Sequence, residues 1–153
     1  MIKGFENLKR TLEIYLNPLI RNYILTIYGL VILENGTIIY TMNKFYRKPW
    51  FSNVTIVMNS EELDEYITDE GLCYGQVILI MKINEELQSD SKNIALIEWY
   101  DFKSEVYPYI YGCSHIKLTK IFNIVDIEAI QDTIHIIPRF DKKNKFFVNR
   151  FIF

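Results

Sequence analysis

The sequence predicts a mostly β domain, a partly open barrel preceded by one short helix. Three observations carry that expectation. Short runs rich in Val, Ile, Tyr and Phe recur between turn-forming residues, on the order of seven to nine of them. An Asn35-Gly36 pair separates two such runs, and both residues tolerate the positive φ that a tight hairpin needs. The regular alternation of strands with long helices that builds a parallel sheet is missing, which favours a barrel or sandwich.

Taken in order, Phe5, Leu8, Leu12, Tyr15 and Leu16 recur at helical spacing until Asn17-Pro18 closes the pattern, so residues 5–16 read as an amphipathic helix. Residues 1–18 form an N-terminal helical segment, packed on this domain or trailing from a preceding one, and 19–153 form a single β-barrel domain. Tyr23–Leu33 and Thr37–Met42 read as the two arms of the hairpin, and Val54–Met58 as the next strand. Ser60–Ile67 reads as one or two helical turns, with Ser60 as cap and Glu61, Glu62 and Asp64 near the positive end of the dipole. Tyr74–Ile83 is a long apolar strand followed by a polar loop, Asn84–Lys92, and Ile94–Tyr100 is its successor. A turn-rich connection then fills Asp101–Ser114. His115–Leu118, Ile121–Ile130, Thr133–Ile137 and Phe146–Phe153 complete the strands, with a turn at Asp141–Lys145.

Length and composition agree with one domain that owns a core. A chain of 153 residues, half of them hydrophobic, buries roughly two-thirds of its unfolded surface. Its longest apolar runs are too short to cross a bilayer as a helix, and MIKGFENLKR lacks the apolar segment of a secretory signal. An intracellular setting is therefore expected. Cys73 and Cys113 lie in no CxxC or Cys/His cluster and read as buried free thiols, so neither a disulfide framework nor a metal is expected.

The net charge of −2 hides an uneven distribution. Residues 1–60 carry seven Lys/Arg against three Asp/Glu, residues 61–105 carry three against twelve, and residues 106–153 carry seven against four. The chain as a whole is no phosphate binder of the usual basic kind. Local basic patches at Lys44, Arg47 and Lys48, or at Lys142, Lys143 and Lys145, stay open, as does an acidic middle facing a basic partner. A solvated surface is the plainer account of each.

Catalytic signatures are sparse. Phosphate-cradling glycine loops, a G-x-S-x-G elbow and an HExxH helix are all missing from the sequence. His135 sits inside IHII, the pattern of a half-buried strand histidine. His115 follows Cys113 by two residues, a spacing that rarely gives an activated nucleophile–base pair. The carboxylates of Glu61, Glu62, Asp64, Glu65, Asp69 and Glu70 lie in polar segments that offer no desolvation to tune them, and Glu98 reads as a strand carboxylate that points to the polar face or pairs with a lysine. No enzyme and no cofactor are expected. The aromatic residues Trp50, Phe51, Trp99, Tyr100, Phe102, Tyr107, Tyr109 and Tyr111 suit core packing, base stacking or a cage for a methylated ammonium.

YGQVILIMKI at 74–83, ALIEWYDF at 95–102 and HIKLTKIFNIVDIEAIQDTIHIIP at 115–138 resemble, in order and spacing, the bromo-adjacent homology (BAH) domains. The match departs from that pattern at Asp101-Phe102-Lys103-Ser104-Glu105, where R-P-E-E-T is common, and at Val125, where proline is common. The blocks NGTIIYTMNKFYRKPWFSNVTIVMN, DEGLCYGQVILIMKI, ALIEWYDF, YGCSHIKLTKIFNIVDIEAI and FFVNRFIF also resemble a C-terminal module of transposon-derived multicopy proteins of fungi. These resemblances imply an SH3-like or BAH-like barrel, nuclear and near chromatin, used for protein–protein contact and not for catalysis. The implied ligand is a peptide tail, such as a histone tail, held on an aromatic-lined face. Trp99 matches a cage position of the family, and Tyr74 and Tyr100 accompany it by proximity in the pattern. The alternative is a nucleic-acid-associated accessory domain using Lys44, Arg47, Lys48 and Trp50.

Overall fold

The computed structural model describes residues 5–16, 22–45, 48–57, 72–86, 90–102 and 115–149. The predicted helical turn over 60–67, most of the connection over 101–114 and the end of the last strand lie outside them. Helix α1 covers Phe5–Tyr15, and the strands are β1 (Tyr23–Tyr28), β2 (Leu30–Ile32), β3 (Ile38–Phe45), β4 (Lys48–Phe51), β5 (Asn53–Val57), β6 (Leu72–Glu85), β7 (Ser91–Phe102), β8 (His115–Asp126), β9 (Ile130–Thr133), β10 (His135–Pro138) and β11 (Phe146–Asn149). The protein is mostly β, and its main sheet is a nearly closed barrel.

β6 is the axis of the sheet. Its apolar run leaves both faces buried, as a strand covered on two sides requires. β7 pairs along one edge, from Gly75↔Trp99 to Asn84↔Ser91. The other edge is shared: β5 takes Leu72 to Gln76 and β1 takes Ile80 to Glu85. All these pairs are antiparallel. β8 follows β7, β11 follows β8, and β10 follows β11.

The sheet comes near to closing because one stretch of chain serves both of its ends. β9 pairs with β5 and β10 pairs with β11, and only Ile134 separates β9 from β10. At that bend the Ile134 amide donates to the Asn53 carbonyl at 2.9 Å. The predicted single strand over 133–137 is thus two strands with a corner, which is how one segment changes partners.

Other predicted boundaries move for equally local reasons. The run 23–33 divides at Gly29, where β1 leaves β6 and β2 pairs with β3 instead. The loop over 84–92 is shorter than predicted, since β6 reaches Glu85 and β7 starts at Ser91. The gap between 118 and 121 is a bulge inside β8: the register slips between Glu98 and Tyr100 of β7, and Lys120 adopts φ 59°. Thr119 holds that bulge, its hydroxyl donating to the Trp99 carbonyl at 2.9 Å and accepting the Ile121 amide at 3.1 Å.

Three buried clusters fill the fold. Ala95, Ile97 and Trp99 of β7 point to one side, joined by Ile39, Val54, Ile56 and Val77. Ile94 and Leu96 point to the other side, where α1 covers them with Leu8 and Leu12. Burying those two leucines contributes on the order of 1.5–3 kcal/mol each. The Tyr15 hydroxyl fixes the helix by donating to the Asp126 carboxylate at the end of β8. Tyr74, Tyr100, Ile116 and Val148 form the third cluster, near the corner.

Gly75 is required where β6 passes β7. A Cβ built there would stand 2.3 Å from Cγ2 of Ile97. Gly75→Ala is expected to lower unfolding stability by about 1–3 kcal/mol through overpacking, read from urea denaturation.

Candidate functional site

The residues expected to form an aromatic face are part of the core. Trp99 is 5% exposed, lies in the cluster around Val54 and Ile56, and donates its indole N–H to Asn123 Oδ1 at 2.9 Å. Tyr100 follows it on the strand and points to the opposite side, as pleating demands. It packs edge-on against Phe146, with ring centroids 5.7 Å apart, and donates its hydroxyl to Asn53 Oδ1 at 2.7 Å. Tyr74 is buried beside Tyr100, away from Trp99. These three aromatics therefore do not converge on a solvent-facing cage. Of the expected basic patch, Lys44 falls on β3 and Lys48 and Trp50 on β4, with Met42↔Trp50 and Phe45↔Lys48 in register. Arg47 lies outside the described residues.

The titratable groups are also absorbed by packing. Glu98, expected on a polar face, is buried at 2% exposure. Burial, and secondarily the Glu98 charge, raises the Tyr100 hydroxyl well above the ordinary tyrosine range. His115 is buried and stacks on Phe147 at 5.0 Å, with Arg139 Nη1 3.4 Å from its Nε2. Arg139 grips Asp141 through Nε and Nη2 at 3.0 and 2.6 Å, which holds that carboxyl below its usual range. His135, expected half-buried, is exposed on β10. Cys73, expected to be buried, is buried, whereas Cys113 lies outside the described residues. Among the described residues no group of three His, Cys, Asp or Glu side chains could hold a metal ion.

The surface features that can receive a ligand flank the β2–β3 hairpin. Gly36, at φ +86°, makes its turn, and Asn35 Oδ1 accepts the Thr37 amide at 3.0 Å. Val31, Leu33 and Ile39 anchor the inner face in the core. The tip is tied to β9: Asn35 Nδ2 donates to the Gln131 carbonyl at 3.1 Å and the Thr37 hydroxyl to Asp132 Oδ1 at 3.1 Å.

This leaves β2 with an open edge. The Leu33 amide bonds the Thr37 carbonyl and the Thr41 amide bonds the Gly29 carbonyl, each at 2.8 Å. Antiparallel pairs alternate, so Val31 faces Ile39 in a hydrogen-bonded pair while Leu30 and Ile32 direct their N–H and C=O groups away from β3. Among the described residues no strand pairs with β2 on that side. The same two residues expose 47% and 62% of their surface.

Two grooves lie beside the hairpin. On the β2 side, a groove of about 390 Å³ has Val31, Ile32, Ile127 and Ile130 as apolar lining and the carboxylates of Glu34 and Glu128 at its margin. On the β3 side, a groove of about 470 Å³ runs between Ile38, Tyr40 and Phe51 and the barrel corner at Asn53, Thr133 and Ile134. Sequence reasoning missed both, because each depends on where the hairpin lands. One signal was available: Asn22–Asn43 carries Glu34 as its single charge, so this edge lacks the lysines and prolines that usually guard an exposed strand. Comparison with protein-family models, curated proteins and solved structures gives no match to this chain.

Two consequences of this placement can be measured. Trp99→Ala is expected to cost about 3–5 kcal/mol of unfolding stability, as for a core aromatic. Alkaline pH is expected to destabilise the fold, since a tyrosine with a raised folded pKa contributes stability that is complete below its unfolded pKa of about 10 and is lost as pH rises above it. In Tyr100→Phe the fall in unfolding free energy between about pH 9 and 11 should be shallower, as read by urea titration.

Proposed function

We propose that this chain is a non-catalytic protein-interaction domain that takes an extended, basic peptide as an added strand along β2. The open edge of Leu30 and Ile32 is the observation that carries the reading. A peptide laid there gains main-chain hydrogen bonds from the edge and places alternate side chains toward the groove or toward solvent. The groove supplies apolar contact through Ile32, Ile127 and Ile130. Glu34 and Glu128, with no Lys or Arg among the groove's lining residues, favour a partner bearing lysine or arginine.

This reading keeps the tail-binding function of the BAH resemblance, with its chromatin and nuclear setting, and changes the means of recognition. Main-chain pairing on β2 replaces an aromatic cage at Trp99. A cage closed around methylated lysine would discriminate methylation states. Strand addition depends on backbone donors and net charge instead.

Isothermal titration with lysine-rich tail peptides, methylated and unmodified, checks the proposal. Both forms are expected to bind with similar affinity. Ile32→Pro removes the outward donor of β2 while sparing the Val31–Ile39 pair that holds the hairpin, and it should weaken binding by tenfold or more with little change in thermal stability. Glu34→Gln and Glu128→Gln should each weaken binding up to about fivefold at low salt, an effect that fades as salt is raised. Failure of every peptide to bind, or unchanged binding by Ile32→Pro, would end the reading.

A further inference from the structure

The turn between β10 and β11 carries a surface that no part of the peptide reading uses. Phe140, its first residue, is 95% exposed, more than any other large apolar side chain among the described residues. The turn is nonetheless fixed by hydrogen bonds. The Arg139 amide donates to the Lys145 carbonyl at 2.7 Å and closes it. Asn144, at φ 54°, grips β8 with both ends of its side-chain amide: Oδ1 accepts the Leu118 amide at 3.1 Å, and Nδ2 donates to the Leu118 carbonyl at 2.9 Å. The turn is therefore held against the β8 bulge at Lys120, and the next residue, Ile121, is 50% exposed. At roughly 4.8 Å per strand, Phe140 lies about 10 Å across the sheet from β8. A lone apolar residue on a surface is ordinary. A phenylalanine fixed at a hairpin turn, with a second exposed apolar side chain on the same corner, calls for a counterpart.

Charge at this corner has the opposite sign to that at the β2 edge. Residues 115–125 and 138–149 together hold six Lys/Arg against one Asp, a balance of +5 in a chain whose net charge is −2. That one carboxylate, Asp141, is gripped by Arg139, so the two offset each other. Across the β7–β8 ladder Asp101 stands opposite Lys117, which offsets a second lysine. Lys120, Lys142 and Lys143 remain as exposed cations around Phe140 and Ile121. Apolar side chains set among lysines match a partner with negative charge on its face and hydrocarbon beneath it.

We propose that the β10–β11 turn and the β8 bulge form a docking corner for the surface of a bilayer rich in anionic phospholipid. Phe140 enters the boundary between headgroups and acyl chains, Ile121 follows at its margin, and Lys120, Lys142 and Lys143 lie at the level of the phosphates. One aromatic anchor and three lysines give reversible, peripheral attachment, since stable anchoring takes stronger signals. A nucleic acid shares the phosphate chemistry but fits the corner less well. Asn144, whose side-chain amide is the kind that reads base edges, is already bonded to Leu118 through both polar atoms, and Phe140 and Ile121 offer hydrocarbon alone.

Sedimentation with vesicles of phosphatidylcholine alone, or with about a third phosphatidylserine, tests this. The protein should pellet with the anionic vesicles only, and most of it should be released as salt rises from about 0.1 M to about 0.5 M. Phe140→Ser should weaken binding by about ten- to a hundredfold, with the native unfolding transition kept because the side chain packs against nothing. Lys142→Gln and Lys143→Gln should each weaken it about fivefold. Phe140→Trp should retain binding and add an emission that shifts to the blue with anionic vesicles, beyond any shift of the unaltered protein. Ile32→Pro should leave vesicle binding unchanged, which separates this surface from the peptide edge. No pelleting with anionic vesicles, equal pelleting with phosphatidylcholine, or unchanged binding by Phe140→Ser would overturn the proposal. So would binding to a DNA duplex as tight as to the vesicles and indifferent to Phe140→Ser, which would mark the corner as a nucleic-acid contact.

Discussion

The corner at Ile134 is the constraint on which this architecture depends. A sheet built from β5, β6, β7, β8 and β11 has two edges, each with unpaired backbone groups that must be met by something. The stretch 130–138 meets both, pairing through β9 at one end and β10 at the other. Asn53 is the joint: its carbonyl takes the Ile134 amide and its side chain takes the Tyr100 hydroxyl. Backbone closure and core packing are therefore fastened at one residue.

Closure explains what stays inside and what stays outside. With the sheet nearly closed, β6 and β7 have cover on both faces, by α1 on one and by the hairpin on the other. Among the described residues the hairpin itself has no second layer. Its inner face is packed, its tip is tied to β9 by Asn35 and Thr37, and no described strand pairs with its β2 edge. The two grooves follow from that position, since a narrow ribbon laid over a barrel leaves a channel on each side.

The architecture was largely legible from residues alone. The period-2 runs, the Asn35-Gly36 turn and the helix spacing ending at Asn17-Pro18 are local signals, and the elements they mark all form. Boundaries failed where tertiary pairing decides: Gly29 divides a run because its two halves join different sheets, and the bulge at Lys120 imitates a loop because a slipped register looks like an interruption. The site was much less legible. Trp99, Tyr74 and Tyr100 stand in a sequence context that suits a cage as well as a core, and only the three-dimensional packing shows Trp99 in one buried cluster and the two tyrosines in another. Edge status leaves no mark on Leu30 or Ile32 as residues. It is a property of which strand is missing beside them.

The unguarded edge of β2 has a consequence for the behaviour of the protein before it meets a partner. Two copies can present Leu30 and Ile32 to each other as readily as to a peptide, because an antiparallel match centred on Val31 is its own complement. Self-contact grows with concentration, whereas a bound segment saturates the same donors and acceptors and cuts that route off. Under the proposed strand addition, occupancy would then act as a solubility device, keeping the chain dispersed at levels where the bare form would begin to assemble.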